Sequence, residues 1–161
     1  MDMAVIGRSK MNPKPKTASL AKDMLGTWRL VSRVDRAADG ALRSEPMLGS
    51  DPLAMLTYTR HHFSAQFMKR DRSAALLNVP CGAGHNNTSA IGGYDAYFGT
   101  YQVCDGGLVL HRLEAALTPA NVGMEVARTL VVDGDRLTIT LETTSHDHEP
   151  VTRTLTWTRI A

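Results

Sequence analysis

From Thr27 onward, apolar and polar positions alternate with a period of two, the pattern of half-buried strands rather than of helices. Residues 27–35, 53–59, 62–68, 108–117, 125–132, 135–143 and 151–159 each carry it. In the first, Trp28, Leu30, Ser32 and Val34 share one face, with Arg29, Val31, Arg33 and Asp35 on the other. Ala38-Asp39-Gly40, Arg60-His61, Asp105-Gly106-Gly107 and Asp133-Gly134-Asp135 supply the turn chemistry between them. Residues 94–103 are ambiguous and read as a helical turn leading into a strand from Phe98. The expectation is an all-β fold: an antiparallel barrel of eight strands, or nearly so. Closure is favoured because it removes the sheet edges that otherwise invite aggregation.

Two segments stand outside this pattern. Residues 19–25 predict a short helix with Ser19 as N-cap and Gly26 at its end, a candidate lid for a barrel mouth. Residues 70–92 contain Pro80, Gly82, Gly84, Asn86, Asn87 and Gly92 and predict a long irregular loop extending to Gly93, of the kind that is functional or disordered. Residues 1–17, with Pro13 and Pro15, predict a disordered arm, leaving 18–161 as one barrel domain. Gly26-Thr27-Trp28 near the start and Arg159 near the finish suggest a tight turn, an indole plugging one barrel end and a guanidinium stacked on it.

Composition narrows the function classes. With 161 residues, 43% hydrophobic and 21% charged, the chain suits one globular domain. The net charge of +2 hides an uneven distribution, because Arg8, Lys10, Lys14, Lys16 and Lys22 crowd residues 1–22. Cations dispersed without aromatics are read as a solvated tail, so no nucleic-acid partner is expected. No apolar run is long enough for a membrane span or a secretory signal, and the expected location is cytoplasmic. Cys81 and Cys104 lie in no Cys-x-x-Cys motif and are expected to be free thiols. No phosphate-binding loop, dinucleotide fingerprint or nucleophile elbow is present, and no cofactor is expected.

The candidate chemistry lies on faces that an interior would share. Ser64, Gln66 and Met68 alternate on one face, as do Tyr97, Gly99 and Tyr101, and His111, Leu113 and Ala115. Were Ser64, Gln66, Tyr101 and His111 to converge, an apolar cavity would gain the few polar groups typical of a small-molecule site. Trp28, Met68 and Tyr97 join them as candidate ligand contacts. His111 is the foremost candidate general base, with Tyr101 as hydroxyl donor and His85, in the irregular loop, as a second base. A histidine simply hydrogen-bonded in the barrel wall is the plainer reading of His111, and a surface histidine that of His85. Glu125 and Arg128 fall on opposite faces; an inward Arg128 would meet an acidic ligand group, although a solvated strand face accounts for both. His146-Asp147-His148-Glu149 reads as polar turn composition, and no metal site is expected.

Taken together, Leu25-Gly26-Thr27-Trp28-Arg29-Leu30-Val31-Ser32, Asp51-Pro52-Leu53, Leu56-Thr57-Tyr58-Thr59, Phe63-Ser64-Ala65-Gln66-Phe67-Met68, Ala96-Tyr97-Phe98-Gly99-Thr100-Tyr101, His111 with Pro119-Ala120-Asn121-Val122-Gly123, and Asp133-Gly134-Asp135-Arg136-Leu137-Thr138 resemble a bacterial and fungal lipocalin-like family of the calycin superfamily. The resemblance covers about residues 20–160 and implies a barrel with an interior pocket rather than a particular reaction. Where such families carry an acidic helical segment, residues 81–93 here are glycine-rich and hold His85, Asn86 and Asn87. Two functions stay open. The chain binds a small hydrophobic molecule inside the barrel, or it is a cofactor-independent isomerase, cyclase or lyase that moves a proton on such a molecule. A homodimer through an outer sheet face is compatible with either.

Overall fold

The computed structural model describes residues 17–73 and 84–161. The expectations for residues 1–16 of the N-terminal arm and for Cys81 fall outside these residues, whereas Thr17, the last residue assigned to that arm, is helical. The chain opens on helix α1 (Thr17–Asp23) and continues through nine strands: β1 (Gly26–Ala37), β2 (Leu42–Arg43), β3 (Leu53–Tyr58), β4 (His62–Met68), β5 (Tyr94–Val103), β6 (Leu108–Ala116), β7 (Glu125–Asp133), β8 (Arg136–Thr144) and β9 (Pro150–Arg159). Each strand pairs antiparallel with the next around the ring, and β9 returns to pair with β1. The result is a closed eight-stranded barrel. Two-residue β2 is an extra strand on the far end of β1.

Alternation decides which residues face inward, but two irregularities shift its phase. In β1 the register against β9 slips between Leu30 and Ser32, so Val31 bulges outward at 57% exposure. Beyond the bulge the buried positions are Arg33, Asp35 and Ala37 instead of Ser32 and Val34. The two-faced assignment expected for this strand therefore holds only up to Leu30. A second bulge separates Phe98 from Gly99 against β6. A side chain at Gly99 would run into the carbonyl of Arg112, so this close approach requires glycine.

The expected helical turn before Phe98 is not formed. Residues 94–103 are one continuous strand, because Asp95, Tyr97 and Gly99 alternate inward while the backbone pairs with β4 on one side and, from Tyr97 onward, with β6 on the other. Helix α1 starts at Thr17, and Ser19 lies within it with its hydroxyl on Asp23, so Ser19 is not the N-cap. The helix buries Leu20 and Met24 against the barrel end where β1 begins, and the Thr17 hydroxyl donates to Asp105 in the β5–β6 turn at 2.8 Å. It seals the end opposite the mouth.

That sealed end is solid. Trp28 is fully buried, donates from Nε1 to the Met24 carbonyl at 2.9 Å, and lies under the Arg159 guanidinium, 4.1 Å from its ring centroid. Gly26, at φ +124°, lets the chain turn beneath Ala161, whose carbonyl accepts from the Thr27 amide. Val109, Leu130 and Leu137 are fully buried in the same core as the indole.

Candidate functional site: a cavity lined by charged residues in the mouth half of the barrel

Above this plug the barrel holds a cavity of about 250 Å³, just below the range of roughly 300–1,000 Å³ usual for small-molecule sites. Its apolar wall comes from Leu56 and Tyr58 on β3, Phe63, Ala65 and Phe67 on β4, Val126 on β7, Ile139 and Leu141 on β8, and Leu155 and Trp157 on β9. Met47 and Leu48 from the β2–β3 connection and residues 87–90 before β5 cover its mouth side.

Several polar residues interrupt that wall. Arg153 makes a two-pronged ion pair with Asp35, at 2.7 and 2.8 Å, almost wholly out of water. Arg33 pairs with Glu45 at 2.9 Å, and Glu45 also accepts the amides of Met47 and Leu48. That ion pair thus holds the covering loop in place. Arg128 is buried as well, and among the described residues no carboxylate pairs with it. Its Nη1 donates to the carbonyls of Asn86 and Ala127, both at 2.9 Å. Burial lowers its pKa from the ordinary value, and the neighbouring Tyr97 and Tyr58 hydroxyls work against that shift.

His111 lies in the cavity wall as expected, but its environment makes it a weak base. Nε2 shares a 2.7 Å hydrogen bond with the Tyr58 hydroxyl, and the ring packs on Phe63 with centroids 4.3 Å apart. Burial, reinforced by the Arg128 charge, pulls its pKa down to about 3, so the imidazole stays neutral. Burial pushes the Tyr58 hydroxyl well above its usual value, which keeps its proton in place.

Asp95 is an acidic group of the site that sequence reading missed, as it missed Glu45. It is 2% exposed, and Thr88 donates to its Oδ2 at 2.6 Å. Burial raises its pKa to about 6, against the pull of Thr88. Its place in the alternation with Tyr97 and Gly99 was the available signal, hidden by reading residues 94–97 as a helical turn.

The other expected residues divide. Tyr97 and Arg128 line the cavity. Ser64, Gln66 and Met68 do not, because the inward face of β4 is Phe63, Ala65 and Phe67; the larger apolar surface took the interior. Trp28 lies below the cavity, occupied by its stack with Arg159. Tyr101 leans against Tyr58 edge-on, but its hydroxyl donates to the Thr59 carbonyl in the β3–β4 turn at 2.7 Å. His85 is exposed and joins the wall through its backbone alone: its carbonyl accepts from Thr143 at 2.6 Å and its amide donates to Thr144. Glu149 is held by Arg43 at 2.7 Å and 3.0 Å.

Asn86, next to His85, ties this segment to the barrel wall. Strands β7 and β8 pair only from Thr129–Thr140 downward and separate toward the mouth. Asn86 fills the gap: Oδ1 accepts from the Ala127 amide at 2.7 Å, and Nδ2 donates to the carbonyls of Ala127 and Glu142 at 3.1 and 3.0 Å. Its φ of +56° is one that asparagine tolerates better than most residues. The side chain bridges the parted strands in place of ladder hydrogen bonds.

A closed antiparallel barrel, plugged at one end and hollow at the other, is the geometry against which a sequence comparison can be judged. The model of a lipocalin-like domain matches residues 25–160, nearly the whole barrel. The chain belongs to the lipocalin-like domain family. A search of curated proteins gave no match. Within this lipocalin-like domain the matched span starts at the turn before Trp28 and stops just after Arg159, so it contains the Trp28–Arg159 stack and the cavity, while helix α1 precedes it. No helix among the described residues is long and apolar enough to cross a membrane, and no group of three or more His, Cys, Asp or Glu among them is placed to hold a metal ion.

Proposed function

We propose that this lipocalin-like domain binds one small, largely apolar molecule inside the barrel, with an acidic group of that molecule directed at Arg128. The observation that carries the reading is a buried guanidinium on the cavity wall with which no carboxylate among the described residues pairs. Buried charges are ordinarily paired, because desolvation is otherwise uncompensated. A ligand carboxylate would supply the partner. The cavity's size favours a compact one- or two-ring molecule.

A second reading, a cofactor-independent isomerase, cyclase or lyase, draws support from one observation. Asp95, inside the cavity and held near pKa 6, is suited to proton exchange near neutrality. His111, near 3, is a poor general base. Support for this reading therefore moves from the histidine to the aspartate.

Calorimetric titration with 2-naphthoate and with naphthalene tests the binding reading. Wild-type protein should favour naphthoate by about tenfold, and Arg128→Met should abolish the preference while naphthalene still binds. Absence of saturable binding by either compound, together with native mass spectra showing no retained molecule in protein from its own host, would overturn it.

A further inference from the structure

Two buried side-chain atoms among the described residues lack a hydrogen-bond partner, Asp95 Oδ1 and Trp157 Nε1. Both residues line the cavity, and they are 2% and 1% exposed. Leaving such a group unpaired costs about 1–3 kcal/mol, more for a charged one, so native proteins rarely do so without a reason. One of these atoms accepts and the other donates. They also share a neighbour. Asp95 is the cross-strand partner of Phe67 on the inner face, and the Trp157 indole meets the Phe67 ring edge-on with centroids 5.7 Å apart.

We infer that Asp95 and Trp157 form a polar subsite around Phe67 that takes a hydroxyl-bearing aromatic or alicyclic ligand. The ligand hydroxyl donates to Asp95 Oδ1, and the indole N–H donates to an oxygen of the same molecule. Phe67 supplies an apolar face against the ligand ring between the two. A cationic ligand is disfavoured even though Asp95 is an acid. Arg33, Arg128 and Arg153 line the same cavity, with Glu45 and Asp35 paired to two of them, so an ammonium held by Asp95 would share the interior with the Arg128 guanidinium, which no carboxylate among the described residues pairs. A neutral hydroxyl satisfies the carboxylate without that penalty. The inference rests on interior binding as proposed above and adds the chemical class that the interior selects.

The experiment compares 2-naphthol with 2-methoxynaphthalene, which has the same ring system but no proton to donate, and with naphthalene, each by calorimetric titration at constant pH. Wild-type protein should bind 2-naphthol about tenfold tighter than its methyl ether, a preference that should shrink to within about threefold in Asp95→Ala. Trp157→Phe should weaken 2-naphthol about fivefold and leave naphthalene unchanged. If Asp95→Ala does not fold, as judged by circular dichroism, Asp95→Leu takes its place, which likewise offers no acceptor, and the same loss of preference is expected. Equal binding of naphthol and ether by wild-type protein, or a preference that persists without the Asp95 carboxylate, overturns the subsite and leaves interior binding standing. Failure of all three compounds and of 2-naphthoate to bind overturns both.

Discussion

The two ends of this barrel are built from the same alternating strands and solve opposite problems. At the sealed end, Trp28, Val109, Leu130, Leu137, Leu20 and Met24 are fully buried, and Arg159 lies over the indole and bonds to Asp135 and backbone carbonyls. At the mouth end, the inward positions of the same sheet hold Arg33, Asp35, Asp95, Arg128 and Arg153 around open space. On β9 the change occurs within one strand, where Trp157 and Leu155 give way to Arg153. The lesson is a division of labour. Hydrophobic burial at one end stabilises the barrel, and the other end is free to hold charged groups that contribute little net stability but define what can enter.

The largest expected effects test this division directly. Trp28→Ala should cost about 3–5 kcal/mol, as large-to-small changes in packed cores do. Asp35→Ala should cost a similar amount, about 3–5 kcal/mol, because it strands the Arg153 charge. The ends differ in what rescues them. Replacing both partners, Asp35→Leu with Arg153→Met, should return stability close to wild type, whereas no second substitution refills the space left by Trp28. Urea denaturation of the four proteins measures this. A double variant as unstable as Asp35→Ala alone would show that the mouth depends on its ion pair as the base depends on its indole.

A smaller effect depends on pH. Asp95 has its folded pKa raised to about 6, so the folded state binds its proton more tightly than the unfolded chain. Its contribution favours folding at low pH and is lost as pH rises from about 4 to 6, amounting to about 3 kcal/mol. His111 works in the opposite direction. Its folded pKa is depressed to about 3, so stability is full above its unfolded value near 6.5 and declines as pH falls below it. Between pH 4 and 6 the two slopes oppose each other. In Asp95→Asn, stability should rise with pH across this window, and in His111→Gln, which keeps an acceptor for Tyr58, it should fall. Denaturation midpoints collected from pH 4 to 8 give the result, and parallel profiles for wild type and both variants would contradict it.

The smallest effect lies at the seam. Asn86→Gly keeps a residue at ease with positive φ but removes three side-chain hydrogen bonds between β7 and β8, at a cost of about 1–2 kcal/mol. Hydrogen exchange should accelerate at the Ala127 amide, which Asn86 holds, and stay unchanged at Val109 and Leu137 in the sealed half. Uniform acceleration across the barrel would show that the two halves open together.

Much of this architecture follows from the linear pattern. Seven of the eight barrel strands, the Gly26-Trp28 turn, the Arg159 stack and the inward placement of His111 are all consequences of local alternation and turn chemistry. The charged interior is not, because it depends on slips in phase. One bulged residue, Val31, turns Arg33 and Asp35 inward, and no local signal in 26–37 marks it. On β4, alternation permitted Ser64-Gln66-Met68 or Phe63-Ala65-Phe67 to face the interior, and packing chose the latter because Phe67 meets Trp157 across the barrel and Tyr97 on the neighbouring strand.

What the chain alone determined is that it alternates, turns and closes, since side-chain direction in a strand and backbone freedom at glycine are properties of neighbouring residues. What the tertiary structure decided is which charges are paired and which are not. That Arg153 has Asp35, 118 positions away in the chain, that Arg128 has no acid among the described residues, and that one oxygen of Asp95 is left without a donor depend on strands far apart in the chain meeting across a common space. Electrostatic energy depends on distance and burial, and closure of the barrel establishes both.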